Sequence, residues 1–491
     1  MKKIILILID ALMPEALENG IKSGKTPGLK FLMENGVYQP HCVTSFPTMT
    51  ATVDSSLMTG TYSDQHKIPG LVWYDPKEKR IINYVNGAKT VLALGIRKAA
   101  KDVLYHLNQV HLNSKTKTIY EELADHGKTS GAVNFIIHRG RTVHTLKLPF
   151  LLNLITRFSL QNKKIKAADI LSIGALHKPR FPGRKIFWNW NQSVFSHFGI
   201  NDNYTTEVVK FIIESGHQPD FLMVYLPDHD HYLHKHIDQP LPSLEKVDQK
   251  IVQILNLFGT WEQALKQNTF IIIGDHGQTK IGKTQNHNID LDQILAQFQV
   301  VKLGKKVHPN DQLVIGNNER MVYLYPLKKE IEKDLLNVLL QDERIDFIAR
   351  KEEETVIVEN HKGLKLRFAK NGAYQDPYDV NWHVHGDLAV LDVRLDGNTI
   401  EFGDYPDAFS RLYGSLFSQD IQMLVLSAKP SYEFITKTFP VHLGGGSHGS
   451  LHKTDSIVPL LVAGAKKWPK PNTRIVDLKQ YILDLLEVPT T

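Results

Sequence analysis

The sequence contains a single cysteine and no long apolar run. Cys42, alone among 491 residues, cannot form an intramolecular disulfide and suits a reducing compartment. No stretch approaches the roughly 20 consecutive apolar residues of a membrane-spanning helix. The amino terminus has two lysines before the apolar run Ile4–Ile9, but this run is too short for a signal peptide and no small-residue cleavage site follows it. We therefore predict a soluble, cytoplasmic protein.

The sequence also has little excess charge. Its 58 Lys and Arg against 52 Asp and Glu give a net charge of +6 when the histidines are neutral. This excess suits a small anionic substrate, but it is too diffuse to predict binding to a nucleic-acid duplex. A 42% share of hydrophobic residues over this length can fill a large core, and it predicts either two domains or one core with a large insertion.

Three short apolar runs are typical of strands that are buried on both faces, as in a parallel sheet. These runs are Ile4–Ile9, Phe221–Leu226 and Phe270–Ile273. Acidic residues follow each of them: Asp10, then Asp228 with Asp230, and then Asp275. Because ligands of open α/β sheets bind at the carboxyl ends of the strands, we predict an α/β fold with a site at this edge.

Histidines accompany two of these acids. His276 directly follows Asp275, and a carboxylate beside an imidazole is typical of a zinc or manganese site. Asp230 and His234 are four residues apart, so one turn of helix would place both on one face. The same segment contains a competing acid and two histidines that we expect to be peripheral: Asp228, His229 and His231.

A cluster of hydroxyl side chains precedes a helix that we predict over about residues 50–58. A metal ion that lowers the pKa of such a hydroxyl turns it into a nucleophile. The start of the helix would favour an anionic substrate at the same place. The candidates are Ser45, Thr48, Thr50 and Thr52, and the residue pattern alone does not choose among them.

A glycine-rich loop near the carboxyl terminus presents another histidine. In Gly444-Gly445-Gly446-Ser447-His448-Gly449 the backbone carries few side chains and can approach an ion closely. His448 is therefore a candidate ligand, with His452 as the nearby alternative.

Residues 146–160 combine apolar side chains at helical spacing with Lys147 and Arg157, and further lysines follow up to Lys166. The pattern predicts a basic amphipathic helix, which we expect to pack over the active site. Weak contact of residues 146–166 with an anionic membrane surface is the alternative.

Two further histidines alternate along a predicted strand. In Asn381–Asp387, His383 and His385 would face one side of the strand. No buried strand end accompanies them, so we predict a substrate-pocket or structural role rather than metal binding.

Several motifs follow one another in a recognisable order. They are Asp10 after a buried strand, Phe46-Pro47-Thr48-Met49-Thr50, Leu57-Met58-Thr59-Gly60, His66, and Tyr74-Asp75-Pro76. Together with the acid and histidine motifs above, this order resembles the type I phosphodiesterase/nucleotide pyrophosphatase family, which belongs to the alkaline phosphatase superfamily. The resemblance covers about residues 1–90, 205–290 and 440–491, and it is weak elsewhere.

The resemblance implies an α/β fold: an alkaline-phosphatase-like core with a mostly parallel central sheet flanked by helices. We expect this core at residues 1–300 and 436–491, with a helical insertion at about 89–200. We expect a smaller inserted α+β cap domain at 301–435.

The resemblance also implies a two-metal hydrolase. Thr50 would be the nucleophile, with Thr48 as the runner-up, and a phosphothreonine would form before water hydrolyses it. The implied activity is hydrolysis of phosphodiester or nucleotide pyrophosphate bonds. Zinc is the expected metal and manganese the alternative. One ion would be held by Asp10, Thr50, Asp275 and His276, and the other by Asp230, His234 and His448.

The chain departs from the family pattern at two places. An asparagine that helps to hold a phosphoryl oxygen in nucleotide pyrophosphatases is matched by Leu71, and the Phe-Pro-Asn after the nucleophile becomes Ala51-Thr52-Val53. The leucine side chain cannot donate a hydrogen bond, so either another group replaces the asparagine or the substrate differs from a nucleotide. A phospholipid-headgroup phosphodiesterase, a phosphomonoesterase and a metal-binding scaffold without catalysis are the alternative functions.

Overall fold

The computed structural model describes residues 2–84, 88–148, 150–182, 191, 193, 197 and 199–489. The strands, in chain order, are β1 (Lys3–Ile9), β2 (Gly36–Val43), β3 (Val72–Asp75), β4 (Arg80–Asn83), β5 (Ser130–Val133), β6 (Thr142–Thr145), β7 (Lys164–Ala167), β8 (Ile170–Ser172), β9 (Phe221–Leu226), β10 (Asn268–Ile273), β11 (Thr279–Lys280), β12 (Asn288–Asp290), β13 (Leu313–Asn318), β14 (Met321–Pro326), β15 (Ile345–Glu352), β16 (Thr355–Glu359), β17 (Lys365–Gln375), β18 (Asn381–Gly386), β19 (Val393–Asp396), β20 (Thr399–Phe402), β21 (Leu424–Ala428), β22 (Glu433–Ile435), β23 (Gly446–Ser447) and β24 (Ile457–Ala463).

The helices connect and cover these strands. The α-helices are α1 (Pro14–Lys22), α2 (Pro27–Glu34), α3 (Thr50–Thr59), α4 (Ser63–His66), α5 (Ala88–Leu94), α6 (Ile96–Lys101), α7 (Ile119–Asp125), α8 (Phe150–Ile155), α9 (Asp202–Glu214), α10 (Asp228–His236), α11 (Leu241–Asn256), α12 (Trp261–Gln267), α13 (Leu291–Ile294), α14 (Glu332–Leu339), α15 (Ala408–Leu416), α16 (Lys453–Ser456) and α17 (Leu478–Leu485). A π-helix covers Asp102–His111, and short 3₁₀ helices cover Gln285–His287, Lys329–Ile331, Leu388–Leu391 and Ile475–Asp477.

The central sheet has, among the described residues, seven strands in the order β2–β24–β10–β1–β9–β5–β8. The five strands from β10 to β8 are parallel to one another, whereas β24 is antiparallel to both of its neighbours, β10 and β2. Alternate residues of β1 enter two different clusters: Leu6 packs with side chains of α3 and α7, and Ile7 with side chains of α1, α9 and α11. Full burial of each such side chain contributes roughly 1.5–3 kcal/mol. The predicted α/β fold, with a mostly parallel sheet flanked by helices, is confirmed.

A second, largely antiparallel sheet is built from residues 313–428. Its strand order is β13–β14–β21–β15–β16–β17–β20–β19, with β18 beside β17. A separate apolar cluster packs on it and includes Phe347, Phe368 and Trp382. This sheet lies within the segment 301–435 that we predicted to be a cap, while the domain boundaries themselves stay predictions.

The segment 89–200, expected to be a helical insertion, contributes strands as well as helices. Strand β5 pairs with β9 and with β8, so both extend the central sheet. Strands β6 and β7 form an antiparallel pair of their own. Part of this segment therefore belongs to the core.

The helix predicted over residues 146–160 is much shorter in the structure. Helix α8 ends at Ile155, and Arg157 and Phe158 have φ angles of 50° and 59°, the left-handed region that interrupts a helix. The chain then turns into β7, which contains Lys164 and Lys166. Phe150 and Phe158 keep 72% and 54% of their surface exposed.

Cys42 is a buried free thiol in β2. Within the described ranges, no helix combines the length and the apolar composition that crossing a membrane requires. The cytoplasmic location stays a prediction.

His66 at the end of α4 predicts how stability depends on pH. Its Nδ1 accepts the Ile68 N–H at 3.1 Å and its Nε2 lies 3.1 Å from Ser56 Oγ, so the ring must be neutral. Burial, with Lys67 adding to it, lowers the pKa of His66 to about 3. The unfolded chain therefore binds more protons below pH 6.5, and stability is complete above that pH and is lost as the pH falls towards 3.

We expect His66→Gln to remove this contribution. The free energy of unfolding, measured with urea, falls when the pH is lowered from 7.5 to 5. This fall should be roughly 2 kcal/mol smaller in His66→Gln than in wild type. His41→Gln, the same substitution at an exposed histidine, is the control. An unchanged pH dependence in His66→Gln would contradict the prediction.

Candidate metal centre and active site

The carboxyl ends of β10, β1 and β9 lie side by side because these strands are parallel neighbours. Asp10 follows β1 and Asp275 follows β10, and both side chains are buried. Gly274 makes this approach possible, since a Cβ atom there would lie 2.5 Å from the Leu12 carbonyl oxygen. The sheet topology thus brings two carboxylates together at one buried edge.

Each of these carboxylates has one oxygen held and one oxygen free. Asp275 Oδ1 accepts the N–H groups of Ala11 and His276 at 3.0 and 2.9 Å, and Asp10 Oδ2 accepts the Tyr225 hydroxyl. Asp10 Oδ1 and Asp275 Oδ2 each lie 3.4 Å from His276 Nε2. These three converging atoms are buried and have no hydrogen-bond partner among the described residues.

Electrostatics makes this arrangement costly without a cation. Burial, and then the charges of Asp275 and Asp230, raise the pKa of Asp10 well above its ordinary value. Buried like charges repel strongly, and an uncompensated buried carboxylate costs several kcal/mol. A divalent cation among the three atoms would remove both penalties, so the donor set fits a metal ion.

A second group of ligands lies beside the first. Asp230 and His234 share one face of α10, with Asp230 Oδ2 3.2 Å from His234 Nε2, as the spacing predicted. The His448 ring stacks on the His276 ring at 3.7 Å between centroids. Ligand atoms of Asp230, His276 and His448 lie within 4.8 Å of one another.

The three histidines of these groups are oriented in the same way. Nδ1 of His234 lies 2.8 Å from Gly446 O, Nδ1 of His276 lies 3.1 Å from Gly277 O, and Nδ1 of His448 lies 2.7 Å from Thr48 O. A backbone carbonyl accepts only from a protonated nitrogen, so in the neutral ring each Nε2 carries the lone pair and can offer it to a metal ion.

The glycines before His448 serve chain packing. A Cβ atom at Gly445 would lie 2.0 Å from the His234 carbonyl oxygen, and the next residue, Gly446, supplies the oxygen that orients the His234 ring. We expected these glycines to let the backbone approach an ion. In the structure they let it approach helix α10.

The structure separates Thr50 from Thr48. Thr48 is fully buried, and its hydroxyl donates to Ser450 O at 3.2 Å and accepts Gly449 N–H at 2.8 Å. Thr50 is the first residue of α3 and is partly exposed. The Thr48 hydroxyl thus holds the His448 loop, whereas Thr50 lies at the positive end of a helix.

The competing residues of the sequence lie outside the two groups. Asp228 exchanges hydrogen bonds with the backbone and side chain of Asp202 at the start of α9. The other histidines make local contacts: His229 with Ser243, His231 with Pro227 and His452 with Thr454. His383 and His385 are exposed on β18 and line a cavity of about 340 Å³ on the second sheet.

Two ligand-type side chains that the sequence did not indicate lie next to His234 and His448. Glu319 Oε2 accepts the Ser447 hydroxyl at 3.0 Å and lies 3.7 Å from His448 Nε2. The His442 ring stacks on His234 at 4.6 Å and is held by Glu433. Glu319 occurs in a turn with φ of 63°, and no local motif marks it. His442 lies close enough to the glycine-rich loop that the loop could have drawn attention to it.

The charges of this second group also call for a cation. Burial opposes a proton on His234, but Asp230 and Glu319 outweigh it and raise the pKa of His234 to about 10. Burial opposes a charge on Glu319 as well, yet the neighbouring histidines, His448 first, lower the pKa of Glu319 to about 2. A positive charge is therefore favoured here, and a metal ion can supply it as well as a proton.

Two further polar side chains, Gln278 and Asp54, lie beside the centre. Gln278, which follows Asp275-His276-Gly277, donates from Nε2 to Asp230 Oδ1 at 2.5 Å. Asp54 lies one turn beyond Thr50 on α3, and both its carboxylate oxygens are without a partner in the part of the chain that the structure describes. Burial, with Asp275 adding to it, raises the pKa of Asp54 well above its ordinary value. The sequence pattern did not indicate Asp54 either, since a single acidic residue within a helix forms no recognisable motif.

Leu71 donates its backbone N–H to Asn318 Oδ1 at 2.9 Å. Its side chain packs against the apolar clusters. The Asn318 amide nitrogen donates to Val72 O at 2.8 Å, so this amide holds the β3 backbone.

The model of the type I phosphodiesterase/nucleotide pyrophosphatase family matches residues 4–451. Among solved structures, the chain resembles murine ectonucleotide pyrophosphatase/phosphodiesterase 5, with a TM-score of 0.57, 12% identity, and coverage of 100% of this chain and 96% of that one. An inactive threonine-to-alanine variant of the murine protein, in complex with AMP, matches with a TM-score of 0.56 and 13% identity. The human protein matches with a TM-score of 0.55 and 16% identity. Both matches cover 100% of this chain and 96% of the other chain. At these identities the likeness shows the fold. No curated protein sequence matches the chain.

The free oxygens predict opposite effects of Asp275→Asn with and without metal. The asparagine oxygen can still accept the Ala11 and His276 N–H groups, while the repulsion of Asp10 disappears, so the metal-free variant should unfold at a higher temperature than the metal-free wild type. An ion at one hundred times its Kd stabilises a protein by about 2.7 kcal/mol, and the variant should lose the part of the zinc-induced gain that this position provides.

Thermal unfolding with EDTA and with added zinc measures both effects. Asp248→Asn is the matched control, because Asp248 is a buried carboxylate that accepts Gly28 and Leu29 N–H groups elsewhere in the fold. It should leave the zinc-induced gain unchanged. A full zinc-induced gain in Asp275→Asn would exclude Asp275 as a ligand.

Proposed function

Since the chain belongs to the type I phosphodiesterase/nucleotide pyrophosphatase family and is a phosphoric ester hydrolase, we propose that it cleaves phosphodiester or nucleotide pyrophosphate bonds with Thr50 and two divalent metal ions. Zinc is the proposed metal, with manganese as the alternative, because nitrogen and oxygen ligands suit both. The physiological substrate is proposed to be a small anionic phosphate ester.

The observation that carries this proposal is the convergence of Asp10 Oδ1, Asp275 Oδ2 and His276 Nε2. These buried atoms lie within metal-ligand reach of one another and lack partners in the described ranges. We assign Asp10, Asp275 and His276, with Thr50, to one ion. We assign Asp230, His234 and His448 to the other, with Glu319 and His442 as close neighbours.

The chain's own groups would carry the reaction in two steps. When bound, the ions supply Lewis acidity that lowers the pKa of a hydroxyl and stabilises developing oxyanions. Thr50 Oγ1 bonds to phosphorus as the bond to the leaving oxygen breaks, and the amino-terminal end of α3 favours the phosphate charge. Water then cleaves the phosphothreonine and restores the threonine hydroxyl.

The similar murine structure with AMP supports a nucleotide as one substrate class. Leu71 and Val53 stand where the family has asparagines, so contacts to the phosphoryl group would differ from those of a nucleotide pyrophosphatase. A comparison of diester and monoester substrates therefore tests which of the two the enzyme prefers. Activity on bis-p-nitrophenyl phosphate, p-nitrophenyl phosphate and p-nitrophenyl sulfate, after metal analysis, tests the proposal, and we expect the diester to be the preferred substrate.

Thr50→Ala should keep the fold and the bound metal but reduce turnover of the preferred substrate by at least about 10³-fold, since the nucleophile is lost. Thr50→Ser should retain part of the activity. Thr48→Ser is the matched control, because serine can keep the two hydrogen bonds of Thr48. Turnover at the wild-type rate by Thr50→Ala would show that Thr50 is not the nucleophile and would favour Thr48 instead.

The second candidate is hydrolysis of phospholipid headgroups, and one surface favours it. Phe150, Leu154 and Phe158 are 72, 52 and 54% exposed, and Lys147 and Arg157 are exposed beside them in sequence. Apolar side chains among cations are typical of a surface that rests on anionic lipid.

Sedimentation with vesicles of phosphatidylserine and phosphatidylcholine tests this second candidate. We expect a fraction of the protein to sediment, and a Phe150→Ser/Phe158→Ser variant to lose most of that fraction. Trp468→Ser, at an exposed aromatic elsewhere, is the control. Complete recovery of wild-type protein in the supernatant would contradict this second candidate and favour a nucleotide substrate.

A further inference from the structure

A group of metal-ligand side chains lies outside the candidate active site, where the β3–β4 hairpin meets the π-helix. Ligand atoms of Glu78, His106 and His111 lie within 4.8 Å of one another. Glu78 belongs to the turn between β3 and β4, and both histidines belong to the π-helix. None of the three has a part in the proposed hydrolysis.

The π-helix is what brings the two histidines together. In an α-helix of 3.6 residues per turn, side chains five residues apart diverge by about 140° around the axis. A π-helix hydrogen-bonds each residue to the fifth one along, which closes this angle. The His106 and His111 ring centroids are 5.5 Å apart as a result. A π-helix of ten residues is unusually long, since most π-helices are single turns. π-helical turns occur frequently at functional sites.

His111 is aimed into the group with an unpartnered nitrogen. Its side chain is only 3% exposed, and Nε2 has no hydrogen-bond partner among the residues described. Nε2 lies 3.6 Å from Glu78 Oε1, too long for a hydrogen bond but suited to two ligands of one ion about 2.0–2.2 Å away. The other nitrogen, Nδ1, lies 2.6 Å from the Tyr84 hydroxyl, which can fix the ring with the Nε2 lone pair facing Glu78.

His106 has the support that ligand histidines usually have. Its Nδ1 lies 2.8 Å from Asp102 Oδ1. A carboxylate that orients the ring in this way is the common outer partner of a metal-bound histidine.

The local charge also suits a cation. Arg80 is paired with both oxygens of Asp102 at 2.7 Å and with Glu78 Oε2 at 2.6 Å. Two carboxylates against one guanidinium leave a net charge of −1 when the histidines are neutral. Glu78 Oε1 is thus the oxygen that remains for an ion, and it is the oxygen that faces His111.

We propose that Glu78, His106 and His111 form a separate binding site for a divalent cation of the zinc type. Two imidazoles and one carboxylate are a usual zinc donor set, and water can complete the shell because the Glu78 side chain is 35% exposed. The ion fastens the π-helix to the β3–β4 hairpin. Its role is structural and does not depend on the hydrolytic reaction.

The first test counts bound zinc on the full-length protein. Metal-free protein is equilibrated with zinc chloride, freed of excess metal, and analysed by mass spectrometry of the metal. We expect Glu78→Gln and His106→Gln/His111→Gln to bind one ion per chain fewer than wild type. His41→Gln is the control and should bind as wild type does. The difference of one ion is the readout, so it holds whatever the active site binds.

Hydrogen exchange locates the lost ion. Zinc should slow exchange in Asp102–His111 at least several-fold in wild type and in Asp275→Asn, but not in Glu78→Gln. Glu78 lies in a surface turn, so Glu78→Gln keeps the experiment informative if the double histidine variant does not fold. Equal zinc content in wild type and Glu78→Gln, with unchanged exchange, would show that the group is only an ion-pair network and would overturn the proposal.

Discussion

The site and the elements around it depend on two carboxylates that share one buried edge of the central sheet. Asp10 and Asp275 end neighbouring parallel strands, and solvent does not reach them to screen their charges. In each, one oxygen accepts hydrogen bonds from the surrounding fold and the other faces His276 Nε2. Such a pair is stable only with a compensating positive charge, since desolvation and repulsion act in the same direction. The proposed metal centre thus follows from the sheet topology that brings these carboxylates together.

The surrounding structure holds the second half of the centre against this edge. A fully buried Arg320–Asp455 pair, 2.6 Å apart, joins the β13–β14 turn to the segment before β24. Asp455 also accepts the Ser450 N–H at 2.9 Å, and Arg320 donates to Thr279, just beyond Asp275-His276-Gly277. The residue before Arg320 is Glu319, which contacts His448. The second sheet therefore contributes a carboxylate to the centre as well as covering part of the core.

The departures from the family pattern have structural partners. The amide of Asn318 binds the backbone at Leu71 and Val72, so the hairpin that lost an asparagine is held from the second sheet. In α3, Asp54 follows Val53 and places a further carboxylate near Asp275.

The sequence by itself determined the buried strands, the helices α3 and α10, and the acids and histidines that follow strands. These features depend on apolar periodicity and on short-range spacing, which the linear sequence records. Only the tertiary structure revealed that Asp228 pairs with Asp202 and that the Thr48 hydroxyl holds the His448 loop, because both depend on hydrogen-bond partners distant in sequence. It also brought in His442, and Glu319 and Asp54, which no motif marks. The π-winding that joins His106 to His111 and the early end of α8 have the same origin, since packing overrides local helical preference.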